Sequence, residues 1–493
     1  MKILFATSEA HPIIKTGGLA DVCGSLPNAY QQLKHKVRLV MPAYGDVWEK
    51  VSQVSQIADF TLTSCGRNLH VRLHKATAPG IDVPVWLVDV PELFYRPGNP
   101  YLAPNGKDWW DNGERFGVFA KVVAEIAMDR VGLKWQPDVV HSNDWQTGLV
   151  PAWLSLEAER PRTVFTIHNM AYAGLFPKSL FEGLGLPSDW WDPEKGVEFY
   201  DNLSMLKAGI QMADVVTTVS PTYAKEITYP EYAYGLEGLL IQRAEQGRLV
   251  GILNGIDQTV WNPKIDPMIY RHYTAEKGRV AAKKLNKKDM LSFWDCDISE
   301  DGLAVPVIGF VGRLVPQKGI DLILEVLPEM LEETLARFVI VGTGEAQTEY
   351  ALTELSHQYP DRLMVYIGYS EPLAHKVEAG ADMFLMPSRF EPCGLNQLYS
   401  LAYGTPPIVH STGGLADTVV NATQKNLATG AATGFVFFDT SRHALKSTLL
   451  HAIHLYGKKR TWQKIQKTAM QQDFGWAKSA SNIWIYLKLS RSL

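Results

Sequence analysis

Short apolar runs recur along the chain, most of them bounded by turn residues and followed by a helix-length amphipathic stretch. They predict strands at Lys2–Thr7, Val37–Met41, Val85–Val88, Val139–Ser142, Thr163–Ile167, Val215–Val219 and Val250–Leu253. After a gap they resume at Val307–Val311, Phe338–Val341, Met364–Ile367, Met383–Met386 and Pro407–His410. Strands alternating with helical patterns mean βαβ units and parallel sheets. Runs that are continuously apolar, rather than alternating, fit strands covered on both faces. The interruption between Gly255 and Val305 contains a charged stretch, Lys277–Asp289, which predicts a solvated helix. A first lobe therefore ends near Asp257. The last stretch, Ser479–Ser492, predicts an amphipathic helix carrying Ile483, Trp484, Tyr486 and Leu487.

One hexapeptide, Thr-Gly-Gly-Leu-Ala-Asp, occurs twice, at Thr16–Asp21 and Thr412–Asp417, each time after a strand-like run. A strand, a Gly-Gly turn and a helix start together aim backbone N–H groups at an anion. One copy near each end predicts two similar lobes sharing a phosphorylated ligand.

Composition narrows the class. A chain of 493 residues is too long for one core, and about two or three domains are expected. A net charge of −4 argues against binding nucleic acid or a membrane surface through bulk charge. No apolar run reaches transmembrane length, and the start reads as a strand rather than a signal peptide. Cys23, Cys65, Cys296 and Cys393 show no metal-ligand spacing, which fits free thiols in a reducing cytoplasm.

The chemistry-bearing residues fall at the carboxyl ends of the predicted strands, where open parallel sheets bind ligands. Glu9 and Lys15 follow the first strand, Asn143 and Asp144 the fourth, His168 and Asn169 the fifth, and Asn254 the seventh. Arg313 and Lys318 follow the eighth, Gly368 and Tyr369 the tenth, and Arg389–Gly394 the eleventh. Lys15, Arg313 and Lys318, with the glycines Gly17 and Gly18 and their repeat, suffice to neutralise a diphosphate without a metal. Glu391, followed by Pro392, sets a carboxylate at the mouth of a turn, and the N–H groups of Cys393, Gly394, Leu395 and Asn396 predict a second anion cradle. No first strand leads into Gly-x-Gly-x-x-Gly, which disfavours a dinucleotide oxidoreductase. No motif for a pyridoxal phosphate lysine is found, which disfavours a phosphorylase.

Six ordered motifs make a family resemblance specific: Lys-Thr-Gly-Gly-Leu-Ala-Asp, His-Ser-Asn-Asp-Trp, Val-Phe-Thr-Ile-His-Asn, Leu-Asn-Gly-Ile-Asp, Gly-Arg-Leu-x-x-Gln-Lys-Gly and Arg-Phe-Glu-Pro-Cys-Gly-Leu-Asn-Gln-Leu-Tyr. From Ile3 to about Trp484 the chain resembles bacterial glycogen synthase and plant starch synthase. The resemblance implies an α/β fold of GT-B type, two Rossmann-like doubly wound lobes facing an interlobe cleft. It places an N-terminal, acceptor-side lobe over 1–257, a nucleotide-sugar lobe over 258–476 and a helix crossing back over 477–493. It implies retaining transfer of glucose from ADP-glucose to the 4-hydroxyl end of an α-1,4-glucan in the cytoplasm, with no metal or cofactor. A UDP-glucose-using glucan synthase and an inert glucan-binding GT-B protein are the alternatives.

Carried over residue by residue, Lys15, Arg313 and Lys318 resemble the family's cations on the donor diphosphate, with Gly17, Gly18 and Asp21 in the first motif. Glu391 matches a carboxylate beside the donor sugar and His168 a histidine near its 6-hydroxyl. Asp144 matches an acceptor-side aspartate, Asn254 a contact to the glucosyl unit, and Tyr369 after Gly368 a side chain packed on adenine. Asn143 and Gln146 stand where bacterial members usually carry His, and Asn396 where many carry Thr.

Overall fold

The computed structural model describes residues 1–276 and 280–489. The chain divides into two compact units, Met1–Gly255 together with Gly475–Leu493, and Ile256–Phe474.

The strands of the first unit are β1 (Lys2–Ala6), β2 (Lys36–Pro42), β3 (Ser52–Ser64), β4 (Arg67–Ala78), β5 (Ile81–Asp89), β6 (Val139–Asn143), β7 (Arg162–Ile167), β8 (Leu175–Pro177), β9 (Glu198–Phe199), β10 (Asn202–Ser204), β11 (Val215–Thr218) and β12 (Leu249–Gly251). Its main sheet is nine-stranded, in the order β12-β11-β7-β6-β1-β2-β5-β4-β3. Pairing is parallel from β12 to β5. The antiparallel hairpin β3–β4 extends the sheet beyond β5. That hairpin is absent from the sequence expectation. Its exposed positions interrupt the apolar pattern, and Cys65 (φ +49°) with Gly66 (φ +73°) forms a tight turn of the kind that matches strand twist. Strands β8, β10 and β9 form a small separate antiparallel sheet.

The second unit holds β13 (Val307–Val311), β14 (Arg337–Gly342), β15 (Leu363–Ile367), β16 (Met383–Met386), β17 (Pro407–His410) and β18 (Phe435–Phe437). They form a six-stranded sheet ordered β15-β14-β13-β16-β17-β18, parallel throughout. Along β14, Phe338 and Ile340 enter one buried cluster while Val339 and Val341 enter another. Both faces are covered, which is why these strands read as unbroken apolar runs.

Among the parallel strands of each sheet the order reverses direction at one place, between β1 and β6 in the first unit and between β13 and β16 in the second. Loops at such switch points splay apart and leave a crevice at the carboxyl edge.

One expectation needs correction. Lys277–Arg279 lie outside the described residues, and the helix that forms over the rest of the charged stretch is solvated on one face only, where Lys284 and Lys288 are exposed. In the helix Lys283–Ser292, Lys283 and Lys287 are buried. Lys283 Nζ donates to the carbonyls of Glu378 and Ala379 and to Thr405 Oγ1. Lys287 Nζ donates to the carbonyls of Leu303 and Val305 and to Asp382. A buried ammonium is tolerable when several oxygens replace its water. The terminal helix spans Trp476–Leu489, and Ser490–Ser492 lie outside the described residues. It packs on the helix Gly18–Gln32, with Trp484 and His35 rings 4.5 Å apart. No helix among the described residues is long and apolar enough to cross a membrane.

Candidate active site

The loop after β1 is organised by a buried carboxylate. Glu9, 3% exposed, accepts from the Thr16 N–H at 2.5 Å and from Thr16 Oγ1 at 2.8 Å. Burial raises its pKa despite those bonds. This clamps the segment that presents Lys15, whose Nζ donates to Asp21 at 2.9 Å from the first helical turn. Gly17 and Gly18 are exposed, and a Cβ built on Gly17 meets nothing within 4 Å. Their backbone is open to a ligand.

Across the switch point, Asp144 follows β6 with φ +58° and ψ −179°, a conformation that is nearly confined to glycine. Its strain is held by a hydrogen bond from its N–H to Thr166 O and by the His168 N–H donating to its carboxylate at 2.7 Å. Burial pushes the Asp144 carboxyl up to about 7, against the opposing bonds from the His168 and Asn169 backbone; the charge of Glu9 raises it further. A strained, charge-stressed carboxylate at a sheet edge is a functional signature.

His168 is oriented by Asn143. Asn143 Nδ2 donates to Ala6 O at 3.0 Å, which turns its Oδ1 toward His168 Nε2 at 2.9 Å. The imidazole therefore carries its proton on Nε2 and leaves Nδ1 as an acceptor. Burial holds its pKa down, to about 3, so the ring is neutral. Asn143, His168 and Asn254 share a cavity of about 10 Å³, room for one water, with Trp476 of the terminal helix in its wall.

In the second unit the loops after β13 and β16 are bound to each other. The Arg389 N–H donates to Gln317 O at 2.9 Å, Gln317 Nε2 donates to Phe390 O at 3.3 Å, and the Arg389 guanidinium forks onto Asp321. Gly319 has φ +75°, and a Cβ there would lie 2.2 Å from Pro387 O, so no other residue allows this approach. Between the loops, Lys318 Nζ donates to Glu391 Oε2 at 2.6 Å, and Ser388 Oγ donates to the same oxygen at 3.0 Å. Arg313 reaches Gln317 Oε1 at 3.1 Å, and Asn396 Nδ2 holds Val311 O at 2.8 Å. Arg313, Lys318, Glu391 and Asn396 thus form one constellation, with Cys393, Gly394 and Leu395 leading into the helix Asn396–Ala402. Gly368 and Tyr369 stand on the loop after β15, where Gly368 N–H donates to Gly342 O and Tyr369 is 70% exposed and bonded to Glu371.

The second copy of the hexapeptide departs from expectation. The Gly414 N–H is spent on the carbonyls of Glu391 and Pro392, at 3.2 and 3.1 Å. A Cβ on Gly413 would lie 1.9 Å from Glu391 O, and one on Gly414 2.0 Å from Cys393 O. This Gly-Gly pair is a buttress under the Glu391 loop, and its close backbone packing is what requires glycine. Sequence reasoning also left Ser388, Gln317 and the clamp role of Glu9 unassigned. Their signal is positional, since each lies within a few residues of a strand's carboxyl end beside a residue already singled out.

Comparison with known proteins bears on the family and the fold. Residues 2–242 match the starch synthase catalytic domain family, and residues 301–469 match glycosyl transferases group 1. The chain is 76% identical over 493 residues to the glycogen synthase of Hydrogenovibrio crunogenus, with all of both chains covered. It is 48% identical, again over the full length of both, to that of Thioalkalivibrio sulfidiphilus. Among solved structures it is similar to the catalytic domain of starch synthase IV from Arabidopsis thaliana bound to ADP and acarbose. That match has a TM-score of 0.88 and 29% identity, and covers 100% of this chain and 99% of that one. A sucrose-phosphate synthase from Thermosynechococcus elongatus, at 17% identity and TM-score 0.60, shares the fold and covers 100% of both chains. Two Rossmann-like units with parallel sheets, matched along their whole length by these enzymes, place the chain in the glycogen synthase family of GT-B glycosyltransferases.

Proposed function

We propose that the protein transfers glucose from ADP-glucose to the 4-hydroxyl at the non-reducing end of an α-1,4-glucan, with retention of configuration and without a metal. The observation that carries this reading is the Lys318–Glu391–Ser388 constellation at the second switch point, with Arg313 on the same loop.

Breaking the bond between the anomeric carbon and the phosphate oxygen develops positive charge on the sugar and negative charge on ADP. Arg313 and Lys318, with Lys15 as a third cation, stabilise the departing diphosphate, typically the largest catalytic contribution. Glu391 keeps Oε2 on Lys318 and Ser388, while its Oε1 makes no hydrogen bond among the described residues. That oxygen is the one to stabilise the developing cation. His168, neutral with Nδ1 as acceptor, suits a sugar hydroxyl, and Asn254 a second one. Asp144 takes the acceptor side. The acceptor O4 bonds to the anomeric carbon and its proton passes to the leaving phosphate oxygen. Tyr369 offers an exposed ring for the base. Four cysteines, none of them in a disulfide, support a reducing cytoplasmic setting.

The test measures nucleotide release from the full chain with glycogen and either ADP-glucose or UDP-glucose. Faster ADP release, with label appearing in glycogen, is expected. Faster UDP release would move the donor to UDP-glucose, and glycogen binding without release from either would leave an inert binding protein.

A further inference from the structure

A chain of polar groups runs through the core of the second unit and ends at Tyr369. Its centre is His375, on the helix Glu371–Gly380 that follows the Tyr369 loop, with a side chain 0% exposed. His375 Nδ1 donates to Asp266 Oδ2 at 2.7 Å. Asp266 is equally buried; Tyr403 OH donates to the same oxygen at 2.6 Å, and the Met268 N–H donates to Oδ1 at 2.8 Å. The imidazole lies on the Trp261 ring, with 3.6 Å between centroids and 13° between planes. Trp261 also stacks on Tyr399, at 3.8 Å and 9°. Tyr399 belongs to the helix Asn396–Ala402, whose first residue holds the end of β13.

The second ring nitrogen gives this cluster its direction. His375 Nε2 is buried, makes no hydrogen bond among the described residues, and faces Glu371 Oε1 across 3.7 Å, one helical turn back. The other oxygen of Glu371, Oε2, accepts from Tyr369 OH. In a neutral ring the one proton is committed to Asp266, so Nε2 would turn a lone pair on a carboxylate. In the protonated ring Nε2 is a donor, both carboxylates attract it, and the cation lies over an indole face. Burial alone would lower the His375 pKa, but Asp266 and next Glu371 raise it above its ordinary value. His375 and Tyr403 likewise hold Asp266 below its ordinary range, against burial. The remaining groups around the ring do not break this pairing. Glu378, pushed by burial up to about 8, is mostly protonated at neutral pH and accepts from Ser400 Oγ at 2.8 Å. Lys283 donates to the Glu378 carbonyl, Tyr273 OH to the Tyr403 carbonyl and Lys376 to Asp289, while His272 Nε2 lies 2.8 Å from Asp266 O.

We propose that His375, as an imidazolium, is a positioning residue for the nucleotide: it fixes Glu371, and Glu371 holds the Tyr369 ring in place for the base. The inference rests on the reading of Tyr369 as the platform for adenine in an ADP-glucose enzyme. A core histidine serving stability alone has no need of a carboxylate that leads out to a tyrosine 70% exposed. The proton on Nε2 is what joins Glu371 to the core, so nucleotide affinity falls as pH rises and the ring gives that proton up.

The test is calorimetric titration of the full chain with ADP from about pH 7 to about pH 9, where the ADP phosphates stay ionised. Wild-type affinity is expected to fall by roughly threefold to tenfold across that range, the scale of one charge-assisted hydrogen bond. Glu371→Gln keeps a partner for Tyr369 OH and loses the charge that answers the imidazolium. It should bind ADP more weakly at pH 7 by a similar factor, without the pH dependence, and its loss with ADP-glucose should fall on KM rather than kcat. His375→Asn, which keeps a donor to Asp266, should behave alike. Should that variant fail to fold, the proton resonance of the His375 ring carries the same test. It should pass from imidazolium to neutral over the pH range in which ADP affinity falls, and Glu371→Gln should shift that passage to lower pH. ADP affinity equal in Glu371→Gln and wild type overturns the proposal. So does a pH dependence that persists in Glu371→Gln, a His375 ring already neutral at pH 7, or a loss confined to unfolding midpoints. Tyr369→Ala keeps the two readings apart. ADP binding that is weakened by Tyr369→Ala and indifferent to Glu371→Gln refutes the positioning role and leaves the proposed function standing, whereas no ADP binding by wild type refutes both.

Discussion

Replacing Lys318 by alanine separates two roles that the structure combines in one side chain. Lys318 Nζ lies 2.6 Å from Glu391 Oε2, with the two side chains 21% and 9% exposed. At that spacing the gross attraction is about 6 kcal/mol with an effective dielectric constant near 20, most of it offset by desolvation. Breaking a buried pair costs roughly 3–5 kcal/mol. Here Ser388 still bonds the stranded carboxylate and the lysine is partly solvated, so about 1–3 kcal/mol of stability is expected to be lost. The catalytic loss is separate. Removing one charge donor at a leaving group costs ~3 kcal/mol of transition-state stabilisation, roughly 10²-fold in kcat. The double variant Lys318→Ala/Glu391→Gln removes the stranded charge, so it should recover most of the stability and none of the turnover. Urea unfolding midpoints and ADP release rates on wild type, both single variants and the double variant complete the cycle. Near-normal turnover in a folded Lys318→Ala protein would refute the leaving-group role. Recovery of turnover in the double variant would show that the lysine acts only by shielding Glu391.

Asp144→Asn should become progressively more stable than wild type as pH rises. The Asp144 carboxyl stands at about 7 in the folded protein against an ordinary 3.8, so the folded state holds the extra proton between those values. Wild-type stability therefore falls as pH climbs through that window, by at most ~1.4 kcal/mol for each pH unit crossed. Urea unfolding of both proteins at pH 5 and pH 8 tests this, and a difference independent of pH contradicts it. Asn143→Leu deletes the acceptor that sets the His168 tautomer and should lower kcat by roughly tenfold or more, the cost of about one to two buried hydrogen bonds; Asn143→Leu turnover equal to wild type would show that the tautomer is immaterial. Activity should survive EDTA, because Lys15, Arg313 and Lys318 supply the positive charge; loss in chelator restored by Mg²⁺ or Mn²⁺ would require a metal. Lys283 stands at about 7, lowered by burial from its ordinary 10.5. The unfolded state thus binds more protons between those values, and stability should rise with pH across them; Lys283→Met should abolish that slope in unfolding curves.

The parallel strands were legible because burial on both faces leaves a run of apolar residues that nothing else explains. The hairpin Ser52–Ala78 was not, since its exposed face interrupts the pattern and its turn is Cys65–Gly66 rather than Asn-Gly or Asp-Gly. Lys283 and Lys287 misled for a related reason. A lysine side chain reads as solvated unless the carbonyls that replace its water are known, and those come from Leu303, Val305, Glu378 and Ala379, between 16 and 96 residues along the chain from the lysine each one holds. For the candidate site, position was legible and partnership was not. The carboxyl ends of strands marked Asp144, His168, Lys318 and Glu391, but nothing in their spacing shows that Asn143 would turn its oxygen toward His168.

The repeated hexapeptide shows why identical residues do not imply identical work. After β1 the strand leads into Glu9, whose carboxylate holds Thr16 and leaves Gly17 and Gly18 exposed, with open space at the Gly17 Cβ position. After β17 the same glycines lie under the Glu391–Cys393 backbone, within a distance that excludes any Cβ, and Gly414 gives its N–H to that loop. The local backbone tendency is shared, a strand turning into a helix through two permissive residues. What differs is the neighbour: in the first unit the turn is free to meet a ligand, and in the second it props up the carboxylate that would meet one. Glycine at 413 and 414 is therefore a packing requirement. Gly414→Ala should displace the Glu391 loop and lower both stability and turnover. Gly17→Ala, with free space at its Cβ, should leave stability within about 1 kcal/mol of wild type and act on donor binding alone. Equal losses of unfolding midpoint in the two variants would contradict this division of labour.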